Sequence, residues 1–97
     1  MRRAEATSIL ADNADRLRAA GIASLYLFGS TARDQANADS DVDLFFDPAD
    51  PRLSLFGVME IRDTLEALLD HKADVMTRGS LHSYLRPRIE AEAQRIF

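Results

Sequence analysis

Three short apolar runs constrain this chain more than any other feature. Ser24-Leu-Tyr-Leu-Phe28, Val42-Asp-Leu-Phe-Phe46 and Ala73-Asp-Val-Met-Thr77 are each bounded by turn-forming residues: Gly29, Asp47-Pro48 and Arg78-Gly79. Runs of that length, rich in aromatic and β-branched residues, read as strands. The intervening segments carry helical spacing instead. Ala6, Ile9, Leu10, Ala14, Leu17 and Ala20 predict a helix over 3–20. Gly21 suits its left-handed stop, and Arg16 and Arg18 complement its dipole. A short helix from Ser30, as cap, to about Gln35 follows the first strand, and residues 36–40 are loop. Leu55, Val58, Ile61, Leu65 and Leu68 face one side of a longer helix ending near Asp70. Pro87 opens a last helix running to about Arg95.

The order is therefore α-β-α-β-α-β-α. A helical crossover between the second and third strands makes them parallel neighbours. The expected architecture is α/β (α+β): a small, mixed, three-stranded sheet backed by helices. At 97 residues the chain has material for one core, so residues 1–97 form a single domain. A hydrophobic fraction of 46% is enough to fill that core.

Composition removes several classes of function. With no cysteine, a disulfide framework and a thiolate metal site are both excluded. The opening MRRAEATSIL is not a signal peptide, and no apolar run approaches the ~20 residues of a membrane span. A soluble, cytoplasmic protein is expected. The net charge is −4, and Asp39, Asp41, Asp43, Asp47 and Asp50 crowd one segment. That run repels a phosphate backbone, which disfavours independent nucleic-acid binding and favours a divalent metal or a basic protein partner.

Asp41-Val42-Asp43 carries the strongest chemical signal. Alternation puts both carboxylates on one face and Val42 and Leu44 on the other. Like charges so close cost stability unless something compensates, and magnesium, with its preference for carboxylate oxygen, does so. A solvated strand edge is the plainer reading of such a pair taken alone. Phe28-Gly29-Ser30, where a strand passes into a helix, is a place where backbone N–H groups bind phosphate. Taken alone it is an ordinary turn. Asp74, in a third apolar strand, can project beside Asp43, and three carboxylates can hold two magnesium ions. The three features together outweigh the plain reading of each.

Gly29-Ser30-Thr31-Ala32-Arg33, followed by Ser40-Asp41-Val42-Asp43-Leu44, resembles the GSxAR…SDxDL signature of minimal nucleotidyltransferases, within the DNA polymerase β-like superfamily. The resemblance implies that fold, and a transfer of a nucleoside monophosphate from a magnesium-bound triphosphate, with ATP as donor. It implies that Gly29, Ser30 and Arg33 hold nucleotide and that Asp41, Asp43 and Asp74 hold the two metals and perform catalysis. Members of the family act as antitoxins beside HEPN-domain ribonuclease toxins, some by adenylylating a tyrosine, so a HEPN-type protein is the implied acceptor and partner. Asp34 departs from the motif, which has glycine there, and adds a negative charge beside the site.

Two other readings remain open: a non-catalytic module that blocks its partner sterically, and transfer to a small molecule in a pocket made by dimerisation. Asp39, Asp41 and Asp43 also begin like a calcium loop, but Leu44 stands where that loop needs glycine. His71 and His82 lack ligand spacing, and Tyr84, Leu85, Ile89 and Phe97 read as core packing in preference to an apolar stripe for a partner.

Overall fold

The computed structural model describes all residues from Met1 to Phe97. Its elements are α1 (Arg3–Asp12), α2 (Ala14–Ala19), β1 (Ile22–Phe28), α3 (Gly29–Ala32), β2 (Val42–Pro48), α4 (Leu55–Leu69), β3 (Ala73–Thr77), a 3₁₀ turn (Arg78–Ser80), α5 (Arg86–Glu92) and β4 (Gln94–Arg95).

The sheet has four strands in the order β3-β2-β1-β4. β2 and β3 are parallel, as the crossover through α4 requires, while β1 runs antiparallel to both β2 and β4. The expected three strands are therefore corrected to four. β4 is only two residues long, too short to leave a periodic signal, and pairs with Tyr26 and Leu27 of β1. It takes over the end of the segment expected to be helical up to Arg95, so α5 stops at Glu92.

Two further boundaries differ for local reasons. The expected helix over 3–20 is broken at Asn13, whose side-chain amide donates to the Ile9 carbonyl at 2.8 Å. Such back-bonding competes with the helical ladder. Gly21 does stop the second piece, at φ +112°. Ser30 does not cap α3: the helix begins at Gly29, with Phe28 in the capping position.

Strand alternation divides the core between the two faces of the sheet. On one face Leu25, Leu27, Val42, Leu44 and Phe46 pack with Ala6 and Leu10 of α1, Leu17 of α2, and Ile61, Leu65 and Leu69 of α4. Ser54 caps α4, accepting from Gly57 N–H at 3.2 Å. Leu55, expected on its buried face, is instead exposed, as are the adjacent Phe56 and Met59. On the other face Phe28, Phe45 and Leu81 form a smaller cluster with Tyr26, Met76, Ile89 and Ala93. Tyr84 and Leu85 take no part in it and lie exposed, contrary to the core role expected of them, whereas Ile89 and Phe97 do pack.

Candidate active site

The second face of the sheet carries the acidic residues. In register, Asp43 of β2 lies between Phe28 of β1 and Asp74 of β3. Neighbouring strands are ~4.8 Å apart, so in-register side chains on one face are immediate neighbours. The pairing of Asp43 with Asp74 matches the sequence reading. Asp41 is the last residue before β2 and is exposed, as is Asp74, whereas Asp43 is half-buried.

Electrostatics follow from this placement. The Asp43 carboxyl is held above its ordinary value of 3.8, first by burial, then by the charges of Asp74 and Asp41, with Arg33 acting in the opposite sense. Asp43 thus sits in an anionic field with one nearby cation to offset it.

Gly29 closes the other side. Its φ of +73° is a left-handed conformation that side chains resist. A Cβ there would overlap the Asp43 carboxylate, with Cγ at 3.0 Å and Cβ at 3.2 Å. Gly29 therefore brings the backbone of the β1–α3 turn against the acidic pair, a cradle that any other residue would fill. Ser30 is the next residue of α3 and is partly exposed. Arg33 lies one turn on, its N–H bonded to the Gly29 carbonyl at 3.2 Å. Its guanidinium binds Glu92 of α5 at 3.1 and 3.3 Å and Gln35 at 3.3 Å.

The residues present fit magnesium by chemistry: three carboxylates supply hard oxygen ligands, and their mutual repulsion is what a divalent cation relieves. They lie side by side, and no group of three acidic or histidine side chains is drawn tightly enough to enclose an ion. The larger surface concavity lies apart from them, lined by Met1, Arg2, Glu5, Asp34, Ala36, Asn37 and Ala38, and includes none of Asp41, Asp43 and Asp74.

Two placements were not legible in the sequence. Asp34 adopts φ +58°, the left-handed conformation that the motif glycine would take without cost. Its carboxylate accepts the Arg3 backbone N–H at 3.0 Å, at the first residue of α1. The extra charge is thus spent on a helix N-terminus, where it is favourable. The tolerance of Asp for left-handed backbone was the available clue. Glu92 had none, since its partner Arg33 is 59 positions away.

A family model for the nucleotidyltransferase domain matches residues 8–96, nearly the whole chain. The protein adenylyltransferase MntA of Thermococcus cleftensis is 38% identical over 80 residues, which is 81% of this chain and 80% of that one. Among solved structures, one described provisionally as a minimal nucleotidyltransferase superposes with TM-score 0.74 at 28% identity, covering 97% of this chain and 95% of its own. A Shewanella oneidensis complex of an MNT antitoxin with a tri-AMPylated HEPN toxin gives TM-score 0.68 at 20% identity, covering 94% and 71%, a likeness of fold. No helix here is long and apolar enough to cross a membrane. With motif, sheet order and family model in agreement, this chain belongs to the nucleotidyltransferase family, among its minimal members.

Proposed function

We propose that this chain transfers AMP from magnesium-bound ATP to a hydroxyl of a protein partner, a HEPN-type toxin that it thereby restrains. The observation that carries the proposal is the register of Asp43 with Asp74, closed on one side by Gly29. The adenylyltransferase relative supports the donor, and the antitoxin complex with its AMPylated toxin supports the acceptor.

Asp41, Asp43 and Asp74 would hold the magnesium ions. When bound, they would neutralise the phosphate charge and favour ionisation of the acceptor hydroxyl. The chain's own residues do the rest. Gly29 and Ser30 seat the phosphate chain against the β1–α3 turn, and Arg33 meets its negative charge. Asp74, exposed on the edge strand β3, would take the hydroxyl proton. The acceptor oxygen bonds to the α-phosphorus, the bond from that phosphorus to the bridging oxygen breaks, and pyrophosphate leaves. Alignment and charge stabilisation account for the acceleration.

Label transfer tests this. The protein and its partner are incubated with magnesium and ATP labelled at the α- or the γ-phosphate, alongside the Asp41→Asn, Asp43→Asn double variant. Label on the partner from α-ATP alone, and only with intact acids, is expected. Label from the γ position would instead mean a kinase. Partner inhibition that survives the double variant, without label, would establish the steric module.

A further inference from the structure

Arg33 is the cation that offsets the charge of Asp43, and the chain already supplies it with an anion. α5 is firmly placed on both sides of Glu92. The Arg78 guanidinium lies 4.7 Å from the Tyr26 ring centre and 5.1 Å from that of Phe45, binds Asp47 at 2.8 and 3.0 Å, and reaches Glu90 of α5 at 2.5 Å. Arg86 holds the same Glu90 at 3.0 Å. Beyond them, Ile89 and Ala93 pack against the Phe28, Phe45 and Leu81 cluster. So anchored, α5 presents Glu92 to Arg33, and both carboxylate oxygens lie within 3.3 Å of one guanidinium nitrogen. The side chains are 45% and 28% exposed, so the pair can be opened by a competing anion in solution. Arg33 itself is one turn from Gly29, which touches Asp43.

We propose that Glu92 is an internal competitor of the nucleotide: it occupies Arg33 until a phosphate chain displaces it. This rests on the nucleotidyltransferase reading of the site, and it adds a determinant of nucleotide affinity outside the motif. Phosphate and carboxylate are alternative partners for one guanidinium fork. An ion pair of this exposure is weak, so its release costs the nucleotide little but measurably. Glu92 lowers affinity and ensures that Arg33 is never left as an unpaired cation beside the empty site.

Isothermal titration with magnesium and α,β-methylene-ATP, whose α–β bridge cannot be cleaved, tests the proposal. Magnesium tripolyphosphate serves as a second probe that carries no base. Glu92→Gln is expected to tighten both probes by about two- to five-fold, the range of an exposed ion pair. In an Arg33→Gln background the same change is expected to give no tightening. Unchanged or weaker binding by Glu92→Gln, with wild type binding normally, overturns the competitor and leaves the nucleotidyltransferase reading standing. Equal tightening in both backgrounds also overturns it, because the effect would then be general charge and not release of Arg33. Binding of neither probe by wild type or by Glu92→Gln would bring down the nucleotide site together with the proposal.

Discussion

Replacing Asp43 by Asn should make the metal-free protein more stable. Asp43 is half-buried, in register with Asp74 on the next strand and two residues from Asp41. Burial and both like charges raise its pKa above the ordinary 3.8, and Arg33 compensates only in part. Two carboxylates ~5 Å apart repel by about 1 kcal/mol in a water-like dielectric and by several-fold more where water is excluded. Because the site is largely open to solvent, the lower figure applies. Asn keeps the shape and removes the charge, so a gain of about 1 kcal/mol is expected, or roughly 4–8 °C in Tm for a domain of this size. The pH dependence has a definite sign. A carboxyl whose folded pKa is raised binds more protons in the folded state, so the wild type loses stability as pH rises from 3.8 through the raised value. The advantage of Asp43→Asn should therefore be complete at neutral pH and vanish on acidification through that window. Circular-dichroism melts in a chelating buffer across pH would measure it. Magnesium should then raise the wild-type Tm and hardly move the variant. A variant that melts at or below wild type at neutral pH without metal, or a gap indifferent to pH, would refute the reasoning.

Gly29→Ala should cost about 2 kcal/mol or more, since it meets both a left-handed backbone and the Asp43 carboxylate; urea unfolding would show it, and a neutral result would mean the turn is looser than described. Asp34→Ala loses the contact to Arg3 and keeps the unfavourable φ, for about 1–2 kcal/mol, whereas Asp34→Gly exchanges that contact for freedom at φ +58° and should be nearly neutral by the same unfolding curves. Arg78→Gln removes the shared partner of Asp47 and Glu90, and hydrogen exchange should rise first across α5. Glu90 is held below its ordinary 4.5, chiefly by its bond to Arg78. The stability it lends is present above that value and lost as pH falls through the depressed one, a loss Arg78→Gln should shrink to the share that Arg86 still supplies in acid melts.

What could be read from the sequence was what has a period or a local motif. The β2–α4–β3 unit shows through because Val42 to Phe46 and Ala73 to Thr77 are dense apolar runs with a 15-residue amphipathic helix between them. The register that sets Asp74 beside Asp43 follows from that unit. By contrast, β4 has two residues, and its place is decided by Tyr26 and Leu27 far upstream. Asn13 breaks a continuous helical pattern through one side-chain bond, which no spacing announces. Asp34 resembled a defect in the motif until its backbone angle and its bond to Arg3 were seen together.

The division of labour between the two faces of the sheet explains why such a small chain can carry a repulsive site. Most of the buried apolar side chains lie on the face covered by α1, α2 and α4. The other face is held by a three-residue cluster and by Arg78, whose stacking on Tyr26 and Phe45 and bonds to Asp47 and Glu90 fix α5 in place of a larger core. Strand alternation lets one run, Val42 to Phe46, serve both faces: Val42, Leu44 and Phe46 anchor the core while Asp43 and Phe45 face the site. The unfavourable charge on Asp43 is thus borne by residues one position away on the same strand. A substitution at Leu44 should therefore threaten the fold, whereas Asp43→Asn should remove the chemistry and leave the fold the more stable for losing the charge.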